Sequence, residues 1–166
     1  MADIQYLCQN EFSNSEEWKI VKRAGDKVLV YINSKQKEIH SANQPGKGSQ
    51  GIEEILKPEL EVIGFSHVPM GEYPDQSLRP DFVSRKLKTI VEVERGKILN
   101  NNMDMLDFWK THIHEECRYL ILIVPINLKH SEKHQSKPFE KVKQRLSIFF
   151  KEKNKTNVRG LVIIGY

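Results

Sequence analysis

Two uninterrupted apolar stretches, Tyr119-Leu-Ile-Leu-Ile-Val124 and Gly160-Leu-Val-Ile-Ile-Gly165, constrain this chain more than any other feature. A strand with one face in water alternates polar and apolar residues. A strand without that alternation is covered on both faces, as in a sheet held between layers of helices. Between the two stretches Pro138 opens a helical pattern, with Phe139, Val142, Leu146, Phe149 and Phe150 as its apolar stripe. Lys137, Lys141, Lys143, Arg145 and Lys151 lie mostly off that stripe. The spacing predicts a helical crossover between two buried strands, hence an α/β fold. The longest apolar run is far too short to span a bilayer, so no membrane association is expected.

The rest of the chain fits around this core. Ser49 reads as an N-cap, and Ile52, Ile55, Leu56 and Leu60 follow at helical spacing until Pro58 bends or ends the helix. Residues 71–77 are turn-rich, and strands are predicted at about 80–84 and 89–95. A helix from Asn100 to about His114 is predicted with Met103, Leu106, Trp109 and Ile113 as its buried stripe. Residues 129–137 read as a polar loop rich in cationic groups. Near the N-terminus, Val28-Leu-Val-Tyr-Ile32 reads as a strand and the next five residues as a turn out of it. A loop by composition, Ser41-Ala-Asn-Gln-Pro-Gly-Lys-Gly48, marks a soft boundary. The expectation is an N-terminal appendage over residues 1–45, with a short β element, and a core over residues 46–166. The core is a mixed β-sheet flanked by helices.

At 166 residues the chain is about one domain, able to bury a core without disulfides or a structural metal. Its net charge of +4 suits a polyanionic partner without demanding one. Cys8 and Cys117 are far apart and form no Cys-x-x-Cys pair, which argues for a reducing, cytoplasmic setting. No basic segment followed by an apolar run opens the chain, so no signal peptide is expected. There is no Gly-rich phosphate loop before Lys-Ser/Thr, no G-x-S-x-G elbow and no GxGxxG, which counts against an NTPase, a familiar serine hydrolase and a dinucleotide enzyme.

The chemistry is concentrated in Arg79-Pro-Asp-Phe-Val and Thr89-Ile-Val-Glu-Val-Glu-Arg. With Arg85-Lys-Leu-Lys88 as a four-residue hairpin loop, Ser84 faces Thr89, Val83 faces Ile90, Phe82 faces Val91, and Asp81 faces Glu92. Side chains alternate along a strand, so Glu94 shares the face of Glu92 while Val91 and Val93 point the other way. Directly opposed like charges are destabilising unless a cation sits among them. Every candidate side-chain donor is an oxygen, which favours magnesium, or manganese in its place, over zinc. Asp81 and Glu92 are the expected ligands, with the Val93 carbonyl as a third, and Glu94 would bind the metal or orient an attacking water. A metal so held would serve phosphodiester hydrolysis.

Pro80-Asp81 followed by Glu92-Val-Glu94 resembles the PD-(D/E)xK nuclease superfamily, with Glu94 where the motif usually has lysine. A glutamate at that position is known among some type II restriction endonucleases. The resemblance covers residues 48–166, whose order of helix, acid-bearing hairpin, helix, strand, helix and strand is similar to that family's core. It implies a restriction-endonuclease-like fold and a magnesium-dependent endonuclease acting on DNA, often as a homodimer. It also implies a further glutamate from the first core helix. Glu53 is preferred over Glu54, because it flanks the Ile52, Ile55 and Leu56 stripe while Glu54 lies nearly opposite.

Lys97, Lys110, Lys86 and Lys88 are the candidate nucleic-acid contacts. Lys97 sits an odd number of residues from Glu94, and Lys86 and Lys88 belong to the hairpin loop. A second Pro-Asp pair, Pro74-Asp75, reads better as a turn. His112-Ile-His114-Glu-Glu-Cys117 fits no familiar four-ligand zinc set and reads as a helix C-terminus. The alternative function is a nucleic-acid-binding module that keeps a nuclease-like fold without catalysis, for which the missing motif lysine speaks.

Overall fold

The computed structural model describes residues 1–71, 73, 75–96, 101–131 and 134–166. In chain order its elements are β1 (Asp3–Cys8), α1 (Glu16–Ser34), α2 (Gln36–Ala42), α3 (Gln50–Ile63), β2 (Ser66–His67), β3 (Phe82–Ser84), β4 (Thr89–Val93), α4 (Met103–Ile113), β5 (Tyr119–Val124), β6 (Leu128–Ser131), β7 (His134–Ser136), α5 (Pro138–Leu146) and β8 (Gly160–Gly165). Among the described residues, six strands form one mixed sheet in the order β1-β8-β5-β4-β3-β2, flanked by the helices. β4, β5 and β8 run parallel, while β1 and β3 pair antiparallel to their neighbours. β6 and β7 form a small separate hairpin inside the segment expected to be a loop.

The two apolar stretches are β5 and β8, buried along their whole length and paired in parallel. Their alternating side chains supply two cores. On one face Tyr119, Ile121, Ile123, Val162 and Ile164 pack with Trp18, Val21, Val28 and Ile32 of α1 and with Ile52, Leu56 and Leu60 of α3. On the other, Leu120, Leu122, Leu161 and Ile163 pack with Phe108 of α4 and with Phe139, Val142 and Leu146 of α5. Phe149 and Phe150, expected on the last helix, lie in a 3-10 turn after it.

Residues 28–32 are helical, which corrects the strand expected there. β-branched content suggested a strand, yet Trp18, Val21, Ala24, Val28 and Ile32 form one helical stripe that the sheet buries. The start was written in the sequence: the Ser15 side chain accepts the Trp18 amide, and Glu16 and Glu17 occupy the positive first turn. Gly25 lets α1 lie close on β8, since a Cβ there would come within 2.8 Å of Val162 Cγ1. Residues 1–45, expected as an appendage, contribute β1 to the edge of the sheet beside β8 and α1 to one of its faces.

α3 runs through Pro58 and stops at Gly64, whose left-handed backbone (φ 105°) caps the helix. The hairpin has the register read from the sequence: Phe82 opposite Val91, Val83 opposite Ile90, Ser84 opposite Thr89. α4 reverses the expected burial. Trp109 and Ile113 face solvent, while Asp104, Asp107, Phe108, Lys110 and Thr111 face inward. The helical period was right and the choice of face was not, because β4, an interior strand, presents a carboxylate toward α4 that the inward polar groups answer.

Candidate active site

Asp81 stands at the start of β3 and Glu92 near the end of β4. The Val68 amide donates to the Asp81 carbonyl (3.0 Å), fixing its backbone. Asp81 Oδ2 accepts the Val93 N–H at 2.8 Å, and the Asp81 N–H lies 3.4 Å from Glu92 Oε2. The side chain thus crosses the open end of the hairpin. Val91 and Val93 point into the α1–α3 core. Glu92 therefore points toward α4, and is 2% exposed.

There α4 meets it with a cation. Lys110 Nζ lies 3.0 Å from Glu92 Oε1 and 2.9 Å from Asp107 Oδ1, with the three side chains 7%, 2% and 0% exposed. The contact to Glu92 is a directed hydrogen bond, while the one to Asp107 is an ion pair without hydrogen-bond geometry. One turn away, Asp104 is buried with its Oδ1 3.4 Å from Arg145 Nη1. Among the described residues its carboxylate oxygens also lack a directed hydrogen bond.

The field of this cluster is strongly negative. Burial, then Asp107 and Asp81, raise Glu92 well above the ordinary carboxylate range, against the pull of Lys110. Glu94 is raised to about 8, first by burial and then by Asp107 and Asp81. Burial raises Asp107 to about 6 although Lys110 opposes it. Burial would lower Lys110, but Glu92 and Asp107 outweigh it and hold the ammonium charged. Glu53 on α3 is raised by burial and by Asp81, and its Oε1 accepts the Ser49 hydroxyl at 2.7 Å. Glu54 is exposed. Asp81, Glu92, Glu94, Glu53 and Lys110 therefore share one region, and Asp107 joins them. Asp107 was not among the residues expected at the site. Its i,i+3 spacing from Lys110 was the available signal.

The hairpin-loop lysines stand elsewhere. The loop closes the other end of β3 and β4, three strand residues (about 10 Å) from Asp81. There Lys88 Nζ is 2.6 Å from Glu17, and Lys86 lines a cleft with His67, Tyr73 and His114. Lys97 lies outside the described residues. Asp75 is exposed and caps a 3-10 turn by accepting from Ser77, as its turn composition suggested. His114 Nδ1 accepts the Glu116 and Cys117 amides, and His112 Nδ1 accepts the Asn157 amide.

Just past β4, Arg95 is buried and, among the described residues, has no carboxylate partner. Its Nε donates to Asn43 Oδ1 at 2.9 Å, and its two terminal nitrogens donate to the carbonyls of Gln44 and Lys47. The Tyr166 hydroxyl donates to the Glu94 carbonyl at 3.0 Å. Both contacts brace the end of β4.

Among the described residues, no three His, Cys, Asp or Glu side chains are gathered closely enough to hold a metal ion as they stand. The donor chemistry nevertheless fits a hard cation. Asp81, Glu92 and the Val93 carbonyl offer only oxygens, and magnesium completes its shell with waters. Glu92 already holds a cation in this structure, the Lys110 ammonium. No described helix is long and apolar enough to cross a membrane.

The sheet order, the acid-bearing hairpin and the flanking helices define a restriction-endonuclease-like fold. Among solved structures the chain is similar to the restriction endonuclease BglII in its complex with a DNA 16-mer, with a TM-score of 0.51 and 19% identity over 99% of this chain and 77% of that one. No family model matches the chain, and no curated protein sequence matches it.

Proposed function

We propose that the chain is a divalent-metal-dependent endonuclease that hydrolyses DNA phosphodiester bonds in the manner of a restriction enzyme. One observation carries this reading: Asp81 and Glu92 converge at the open end of the β3–β4 hairpin, against a buried lysine, in a fold shared with a DNA-bound restriction endonuclease. Asp81, Glu92 and the Val93 carbonyl would hold magnesium, or manganese in its place. Such an ion lowers the pKa of a bound water and neutralises charge on a phosphoryl oxygen. Burial and the neighbouring acids raise the Glu94 carboxyl, and a cation held beside it would lower it again, so that it could take a proton from the attacking water. Glu53 adds a further carboxylate beside Asp81. Lys110 supplies a donor for a phosphate oxygen. The net charge of +4 favours association with a polyanion. A homodimer would place two such sites on the two strands of a duplex.

Purified protein incubated with plasmid and magnesium should give discrete fragments. EDTA should stop the reaction, and Glu92→Ala should slow it by at least about a hundredfold, on the scale of losing part of a metal site. Equal cutting by wild type, Asp81→Ala and Glu92→Ala overturns the assignment. Smeared products would indicate a less selective nuclease.

A second reading, DNA binding without catalysis, is favoured by one observation: Glu92 is engaged by Lys110. It predicts mobility-shift binding at low salt with the substrate intact across magnesium and manganese concentrations.

A further inference from the structure

We propose that Asp107 is a positioning residue, which holds the Lys110 ammonium beside Glu92 so that α4 supplies the cation missing from strand position 94. This rests on the endonuclease reading above and adds a residue to it. α4 is turned the unexpected way round. An ordinary helix on this sheet would bury Trp109 and Ile113, as their spacing invites. Here they are exposed while Asp107 and Lys110 are buried. Taking charges out of water is unfavourable unless something repays it, and an apolar pair of similar volume would often be as stable. The arrangement thus specifies a location for an ammonium group.

The geometry says which location. Lys110 Nζ has two anionic neighbours, at 2.9 and 3.0 Å, and they differ in kind. Glu92 is a candidate metal ligand at the end of β4. Asp107 lies three residues before Lys110 on the same helix, and no described side chain donates a directed hydrogen bond to it. With Glu92 turned to another cation, Asp107 alone would keep the ammonium at the site, within reach of an incoming phosphate. Without Asp107, the lysine pairs with Glu92 alone and competes with a metal for that carboxylate. Glu94 cannot supply a positive charge, and the hairpin-loop lysines stand at the far end of the hairpin.

The test is a double-mutant cycle on the whole chain, read by plasmid cleavage (kcat and KM separately) and by calorimetric titration with Mn2+. Asp107→Asn should lower kcat about tenfold or more, in the range of supporting-residue effects. KM for plasmid should stay within about twofold, since few DNA contacts are removed. Mn2+ affinity should fall in Asp107→Asn and recover when Lys110→Met is added. In cleavage, Asp107→Asn should add nothing to Lys110→Met, because it acts through that lysine. A structural role would give additive losses and overturn the proposal. So would an unchanged kcat and Mn2+ affinity in Asp107→Asn beside an active wild type. If Asp107→Asn does not fold, Asp107→Glu, which keeps the charge but shifts it by one methylene, must still lower kcat, and an unchanged kcat there counts against the proposal. A wild type that neither cuts plasmid nor binds Mn2+ removes the endonuclease reading itself, which is a separate outcome.

Discussion

α1 and α4 lie against opposite faces of the same sheet and make opposite use of their inward sides. α1 buries Trp18, Val21, Ala24, Val28 and Ile32 and leaves its charges in water. α4 buries Asp104, Asp107 and Lys110 and leaves Trp109 and Ile113 exposed. The first helix does what hydrophobic burial alone would dictate. The second follows the strand it meets: where β4 presents Glu92, the neighbouring helix answers with charge. The contrast can be tested from both sides.

The largest effect on stability should come from Trp18, with Trp109 as its exposed counterpart. Trp18→Ala removes a buried ring stacked on Tyr119 (centroids 6.0 Å apart) and should lose about 3–5 kcal/mol in urea unfolding. Trp109→Ala should change stability by no more than about 0.5 kcal/mol. A comparable loss at both sites would erase the contrast.

Next is Lys110→Met, a change that would favour an ordinary core. Here it strips the counter-charge from Glu92 and Asp107, and should destabilise by about 3 kcal/mol near pH 8.5. At about pH 5.5 the loss should shrink, because the two acids can neutralise themselves by protonation. Urea melts at both pH values decide it, and a pH-independent loss would indicate packing rather than charge.

A smaller effect belongs to the unmodified protein. Glu94, raised to about 8, and Asp107, raised to about 6, hold protons in the native state that the unfolded chain has already released. Between the unfolded carboxylate values and those folded values the native state binds more protons, so this contribution makes stability fall as pH rises. Calorimetry of metal-free protein should give a higher melting temperature near pH 5.5 than near pH 8.5, and magnesium should restore more of it at the higher pH. A magnesium shift of equal size at both pH values would detach these acids from metal binding.

Much of this was legible in the sequence, for reasons that differ by element. β5 and β8 could be read to the residue because unbroken apolar runs admit few other structures. The hairpin register followed from a four-residue loop and the alternation of Phe82, Val83 and Ser84 against Thr89, Ile90 and Val91. Glu53 could be separated from Glu54 by helical geometry alone. α1 was obscured because Val28, Val30 and Ile32 have strand propensity, which tertiary packing overrode. The short strands β2, β6 and β7 carry little pattern of their own, and β1, a sheet-edge strand, mixes polar and apolar residues without an unbroken apolar run. The inward face of α4 was hidden for a different reason: periodicity gives two faces and says nothing about which one a neighbouring carboxylate will attract.

Arg95 joins two segments that are distant in sequence. A guanidinium that gathers acceptors at Asn43, Gln44 and Lys47 ties the chain before α3 to the residue that follows Glu94. A lysine could not make the same knot, because a single ammonium on a flexible stem lacks the planar fork that grips several acceptors at once.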